Sequence, residues 1–255
     1  MAISFDAAST SGAASQNQAS FSWSHAGGTP EGVVVFTFTL AELDILDGDN
    51  ATSVTYGGVS MTAVSGGRAE VINTQSGNEI DCKLWFLGSG IPSGTQTIVV
   101  NRTNNSLKMW AGAMTVNSSQ NSTVHAPGIV LFDGEPGLIS ETNVADGSGA
   151  TGDSMRFAGI ICELGNYGTF LDDPINFNTL YPGLNSTYRG VIDFGNSVAM
   201  IVSETVAGTG SRNVGFIGDT TYRAAVHVAV KDVSGSGTTV VKDIIGRSGI
   251  IPFKR

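Results

Sequence analysis

The sequence predicts an all-β protein, an antiparallel β-sandwich with long surface loops, and three observations carry that prediction. Apolar and β-branched residues recur in short, strand-like runs along the whole chain. The runs are punctuated by 34 glycines and by many Ser, Thr and Asn residues, while only 14% of the 255 residues are charged. A helical surface calls for more Glu, Lys, Leu and Ala. Finally, neither an amphipathic helix of useful length nor a β–α alternation breaks the pattern, which sets aside a parallel α/β sheet. At 41% hydrophobic residues, the chain has enough apolar surface for one large sandwich or two small domains.

The elements follow in order. Residues 3–5 and 21–23 read as two short strands around a polar stretch, and Gly27-Gly28-Thr29-Pro30 then marks a turn. The run 33–40, VVVFTFTL, is the strongest strand signal in the chain. Val54-Thr55-Tyr56-Gly57-Gly58-Val59-Ser60-Met61-Thr62 reads as a hairpin. Its Gly-Gly pair supplies the positive φ angles that a two-residue turn needs. Val54 and Tyr56 share a face before the turn, with Val59 and Met61 after it. Further strands are expected at 69–72, 80–87, 95–100, 107–116, 156–163, 191–193, 197–202, 213–216 and 224–230. The Gly- and acid-rich stretch 132–152 reads as a long loop, and 166–187 as a second with a helical turn near 172–177. Long loops on a sandwich commonly carry recognition. No repeat of fixed period is visible.

The end of the chain changes character. A sandwich domain over 1–233 is followed by a Gly/Ser linker at 234–237 and an apolar, basic-ended tail at 238–255. Its Val240, Val241, Ile244, Ile245, Ile250, Ile251 and Phe253 are the candidate partner-binding residues. A hydrophobic tail beyond a finished domain is expected to dock, either capping its own sheet or adding a strand to a neighbouring subunit.

One group of motifs resembles a known family. They are Ile3-Ser4-Phe5-Asp6-Ala7-Ala8-Ser9, Phe21-Ser22-Trp23-Ser24-His25, the apolar run 33–38, the hairpin at 52–62, Leu84-Trp85-Phe86-Leu87 and the segment 94–100. Over residues 3–116 the chain resembles a jelly-roll-like sandwich domain of tailed-bacteriophage virion proteins, minor tail proteins among them, which also occurs in bacterial surface proteins. The resemblance implies a jelly-roll-like fold and a display or assembly role on a particle exterior. It transfers no catalytic residues.

Charge narrows the partners. A net charge of −9, with the 13 basic residues scattered except near the C-terminus, argues against nucleic acid. No apolar run approaches the roughly 20 residues of a membrane span. The first residues, MAISFD, have neither a basic n-region nor an apolar h-region. The expectation is therefore a protein released by cell lysis, or one whose export signal has been removed.

Candidate chemistry is sparse. Asp44, Asp47 and Asp49 sit in an acidic loop with oxygen ligands close enough for Ca²⁺, but without the full EF-hand order; a solvated turn is the plainer reading. No cofactor is otherwise expected. His25, His125 and His227 show no metal-ligand spacing, and His227, alternating with apolar neighbours, reads as a solvent-facing strand residue. Glu163, Asp193 and Glu204 are the carboxylates that a glycosidase pair could recruit. Trp85 reads as core, whereas Trp23 and Trp110 are open to a core or a sugar-stacking role. Cys82 and Cys162 read as buried apolar thiols, with a bridge between their strands as the alternative. The function expected is that of a non-enzymatic structural protein of a bacteriophage virion, decorating the capsid or forming part of the tail or fibre. It would associate with other virion proteins and with copies of itself. The alternative is a module that binds a host-surface carbohydrate, with aromatics near 132–152 or 166–187.

Overall fold

A computed structural model describes residues 3–12, 18–41, 51–72, 79–102, 108–117, 122–124, 137–139, 142–144, 153–163, 181–193, 197–220 and 222–232. The first half of the chain supplies β1 (Ser4–Thr10), β2 (Ser20–Ala26), β3 (Gly32–Ala41), β4 (Ala51–Tyr56), β5 (Val59–Ser60), β6 (Thr62–Ile72), β7 (Glu79–Leu87), β8 (Thr95–Arg102) and β9 (Lys108–Asn117). The second half supplies β10 (Ser122–Val124), β11 (Gly137–Ile139), β12 (Thr142–Val144), β13 (Ser154–Glu163), β14 (Tyr181–Pro182), β15 (Ser186–Asp193), β16 (Ser197–Glu204), β17 (Arg212–Val214), β18 (Phe216–Thr220) and β19 (Tyr222–Asp232). Among the described residues there is no helix, and the strand pairs are antiparallel.

Two five-stranded sheets lie at the centre, in the orders β1-β9-β3-β7-β6 and β10-β19-β13-β16-β15. The hydrophobic pattern of β3 explains why its sheet is buried on both faces. Val34, Phe36, Phe38 and Leu40 join a core shared with Phe157, Ile161, Val226 and Val228 of the other central sheet. Val33 and Val35 point the opposite way, into a core with Tyr56, Trp85, Ile98 and Val100. That second core is closed by the outer sheet β2-β8-β4-β5. On the far side of the second central sheet, Ala158, Ile160, Val202 and Ala229 pack with Val144, Val214 and Phe216. These last three belong to the small outer sheets β12-β17 and β11-β18-β14. The result is a stack of sandwich-like layers whose central core draws on both halves of the chain.

Glycine is required at three positions in this fold. Gly57 and Gly58 take φ of 55° and 81°, and they turn β4 into β5 as the Gly-Gly hairpin predicts. Gly159 lies on β13 facing the first central sheet: a Cβ there would sit 2.5 Å from Cδ1 of Phe36. The Phe36 ring therefore occupies the space a side chain at 159 would need.

The strand orders also repeat. If β1, β9, β3, β7 and β6 are matched in turn to β10, β19, β13, β16 and β15, the two central sheets have one connectivity. The outer strands follow suit, with β2-β8-β4 matching β11-β18-β14. Each half is thus a sandwich of the same topology, with its five-stranded sheet turned toward the other. This repeat is absent from the sequence as a fixed period because strand order constrains polarity patterns and loop lengths only loosely.

Seven predicted strands, at 33–40, 80–87, 95–100, 107–116, 156–163, 197–202 and 224–230, match observed ones to within two residues at either end. The loop expected at 132–152 instead contains β11 and β12, and β14 and the start of β15 fall within 166–187. The helical turn expected near 172–177, the linker at 234–237 and the tail at 238–255 lie outside the described residues.

Candidate functional site

Buried polar side chains in such layers call for partners, and three clusters bring such side chains together. The first joins β1, β2 and β9. Trp23 Nε1 donates to Ser9 Oγ at 2.8 Å, and Ser9 Oγ lies 2.8 Å from His25 Nδ1. On the other side of the ring, His25 Nε2 lies 3.1 Å from Thr115 Oγ1, whose hydroxyl donates to Asp6 Oδ2 at 3.0 Å. An indole N–H only donates and a carboxylate only accepts, so the chain of bonds has a direction. A neutral His25 protonated on Nε2 completes it. Burial lowers the pKa of His25, against the upward pull of Asp6, and so favours that neutral ring. Asp6 also accepts from the Gly28 backbone N–H at 3.1 Å and from Asn117 Nδ2 at 3.3 Å. Tyr56 stands edge-on to His25 with ring centroids 6.0 Å apart, and burial followed by the charge of Asp6 raises its pKa.

Ser, His and Asp in series are the residue types of a nucleophilic relay. Here the imidazole is wholly buried and the Ser9 oxygen already accepts from Trp23. The line runs across the sandwich, from the outer strand β2 to β1 and β9 of the central sheet. Its physical work is to clasp two sheets and set the side-chain directions between them. The sequence reading passed over Asp6, Ser9 and Thr115. Thr115, polar within the apolar run of β9, was the available signal, whereas β1, with Ser4, Asp6, Ser9 and Thr10 among its seven residues, offered none.

The second cluster surrounds Glu204, which is fully buried at the end of β16. Arg156 Nη1 lies 3.1 Å and Arg212 Nε 2.7 Å from its carboxylate oxygens, and the Arg156 backbone N–H donates to it at 3.2 Å. Arg156, also fully buried, donates through Nε to the Val144 carbonyl at 2.9 Å and through Nη2 to the Gly210 carbonyl. Arg212 Nη2 reaches the Val206 carbonyl at 2.7 Å. The cluster ties β12, β13, β16 and the 205–211 segment together. Burial raises the Glu204 pKa, against the pull of Arg156 and Arg212.

The third cluster lies on β6 and β7. Arg68 bridges Glu70, at 2.8 Å, and the buried Asp81. Burial pushes Asp81 up to about 7 in spite of Arg68. Glu79, buried beside these acids, is also raised to about 7, by burial and then by Glu70. Nearby, Lys83 Nζ donates to the Ala51 carbonyl at 3.1 Å and lies 4.8 Å from the Trp85 ring centroid.

The residues singled out from sequence fall as follows. Asp44, Asp47 and Asp49, and the tail residues Val240, Val241, Ile244, Ile245, Ile250, Ile251 and Phe253, lie outside the described residues. Among the described residues, no group of three or more His, Cys, Asp or Glu side chains is disposed to hold a metal ion. Of the three glycosidase-type acids, Glu204 is not brought together with the other two. Register places Glu163 opposite Ser197 and Asp193 opposite Val198, at the start of β16, whereas Glu204 ends that strand. Six or seven residues of strand, about 20 Å, separate Glu204 from the other two, well beyond the roughly 5–10 Å of a glycosidase pair. The backbones of Glu163 and Asp193 lie about 10 Å apart on the two strands that flank β16.

His227 corrects its reading. It is 1% exposed, not solvent-facing, with its ring 6.2 Å from that of Phe216. The reason is that β19 runs between β10 and β13 and is covered on both faces, so alternation selects between two cores and not between core and water. Burial pushes His227 down to about 4. Trp85 is core, as expected, and its Nε1 donates to Thr37 Oγ1 at 3.1 Å. Trp110 is fully buried, which removes it as a sugar-stacking surface; Trp23 is partly exposed and stacks on Phe21. Cys82 and Cys162 are free, buried thiols in different cores, which removes the bridged alternative.

Among the described residues, the large hydrophobic side chains left exposed are all in the second half: Leu184 (91% exposed), Val206 (64%), Tyr188, Val191 and Ile217. Leu184, Tyr188 and Val191 lie on β15 or the turn before it. Tyr188 pairs with Val202 and Val191 with Met200 across a bulge at Arg189, so the bulge keeps both aromatic and aliphatic groups on one face. Among the described residues, no helix is long and apolar enough to cross a membrane. No family model, curated protein or solved structure matches the chain.

Proposed function

We propose that this chain is a non-enzymatic structural protein of a bacteriophage particle, displayed on its exterior and released with it by lysis, which assembles through the β15 side of its second half. The observation that carries this reading is the set Leu184, Tyr188 and Val191, three large apolar side chains exposed together at one edge of a central sheet. Exposed apolar groups concentrated in one place mark association surfaces. The resemblance of residues 3–116 to virion domains supplies the setting. A stiff stack of layers, clasped by buried polar clusters, suits repetition at many positions, where weak contacts sum to firm attachment.

The test is the oligomeric state of the full chain by light scattering across a range of concentrations, with co-sedimentation on bacteriophage particles. Concentration-dependent association, weakened at least tenfold by Leu184→Asp with Tyr188→Asp, is the expected result. A chain that stays monomeric and ignores particles overturns the reading. Tyr188 also favours the carbohydrate alternative, because it is a half-exposed aromatic next to the 166–187 stretch. Glycan binding that is lost in Tyr188→Ala, in a chain that does not self-associate, would decide for that alternative.

A further inference from the structure

Strand edges in this fold are protected unequally. In the first central sheet the outer strand β6 carries Arg68 and Glu70, whose side chains are 33% and 36% exposed and form an ion pair at 2.8 Å. Charge along an edge discourages pairing with another strand. The matching outer strand of the second central sheet is β15, and it carries Tyr188 and Val191, 49% and 39% exposed, with Leu184 in the turn before it. Among the described residues, no strand pairs with its outer side. Arg189, at the bulge of β15, is held inward by its bond to Ser203 Oγ and by the Phe5 ring. The exposed side chains described on this strand are therefore apolar, and such an edge is a template for an added strand.

The place where the chain leaves the fold says what could fill it. Glu204 pairs with Ser186, and the same row continues through Arg156 to Ala229. Asp232, the last residue of β19, therefore lies three residues beyond the row where β15 begins, and the chain exits at that end of the sheet. Beyond it come Val233, the linker 234–237 and then Thr238-Thr239-Val240-Val241-Lys242-Asp243-Ile244-Ile245, a β-branched run of strand length. If this run paired with its own β15, it would start at the Ser186 end and run with β15, making a parallel pair in an otherwise antiparallel sheet. Six steps of chain link Asp232 to Thr238, about 20–22 Å fully extended. An arm of the same molecule would have to be drawn nearly taut to cross the four strand spacings, about 19 Å, that separate β19 from a strand outside β15. A run from another molecule meets neither restriction.

We propose that the outer edge of β15 receives residues 238–245 of a second copy as an added antiparallel strand, so that copies join by exchanging their C-terminal arms. The inference rests on the assembly reading above and names its partner. The apolar groups at Tyr188 and Val191 would cover one face of the incoming strand, with Val240, Ile244 and their alternates distributed over its two faces.

Cysteine pairing tests it. Cys82 and Cys162 are buried, and burial raises both thiols, so introduced cysteines react alone. Chains carrying Val191→Cys are mixed with chains carrying Val240→Cys or, separately, Val241→Cys, and oxidised mildly. The expected result is a disulfide-linked dimer in one of the two mixtures, the one whose tail cysteine falls on the matching face. It should be reduced at least tenfold when Val241 or Val240, whichever is not the cysteine, is replaced by Pro. A chain carrying both cysteines that forms only an internal disulfide overturns the proposal in favour of self-capping, and so does the absence of any disulfide. Oligomers that persist after deletion of 234–255 also overturn it while leaving the assembly reading standing. A full-length chain that is monomeric throughout removes both.

Discussion

Acidification should weaken this protein through His227, and by a calculable amount. An imidazole in water titrates near 6.5, while in the fold burial holds His227 near 4. Between those values the unfolded chain binds a proton that the folded chain refuses. The stabilising contribution is therefore complete above pH 6.5 and is lost as the pH falls through about 4. From pH 7.5 to pH 5 the loss is about 2 kcal/mol, since each unit of pKa difference crossed corresponds to about 1.4 kcal/mol. The perturbation is His227→Leu, which removes the titrating group and also the ring nitrogen Nδ1, buried without a hydrogen-bond partner. Urea unfolding of both proteins at pH 7.5, 6 and 5 gives the two stability profiles. The wild type should lose about 2 kcal/mol more than the variant over that interval. Comparing the variant with the wild type is necessary because other groups titrate in the same range with the opposite sign. Parallel profiles would refute the argument, because they would mean that His227 is solvated or carries its proton in the fold.

Three further predictions follow from the buried clusters and the packing. Glu204→Gln leaves the buried Arg156 without its counter-charge and should cost about 3–5 kcal/mol in urea unfolding, the range for breaking a buried pair from one side. Gly159→Ala drives a Cβ against the Phe36 ring and should cost about 1–3 kcal/mol, with a lower thermal midpoint as the simplest readout. Asp81, whose folded pKa is raised to about 7, contributes stability that is present below the usual carboxylate range and is lost as pH rises through about 7. Asp81→Asn should therefore flatten the decline in stability between pH 5 and pH 8, measured by thermal melts at each pH.

Much of the fold was legible in local pattern. The run Val33–Leu40 announced β3 because β-branched and aromatic residues fill a strand buried on both faces. Gly57-Gly58 announced its hairpin because few other dipeptides accept two positive φ angles. Where the sequence reading fell short, the missing information was tertiary. It stopped the first strand at Phe5, because Ala7-Ala8-Ser9-Thr10 has no strand pattern of its own. Those residues become β1 by pairing with Thr115, Met114, Ala113 and Gly112 of β9.

The same division holds for the sites. Ser9, His25, Thr115 and Asp6 are spread over 110 residues, and only the pairing of β1 with β9 and the packing of β2 bring them into one line. Glu204 looked like a candidate acid until the fold placed two guanidinium groups on it. What the sequence by itself determined was the all-β class, the positions of seven of its strands and the turn chemistry, because these depend on side chains a few residues apart. Only the tertiary structure decided that the central sheets bury both faces, that His227 and Trp110 are interior, and that β15 is left as an apolar edge. Those outcomes depend on which layer lies against which, a relation between residues far apart in the chain.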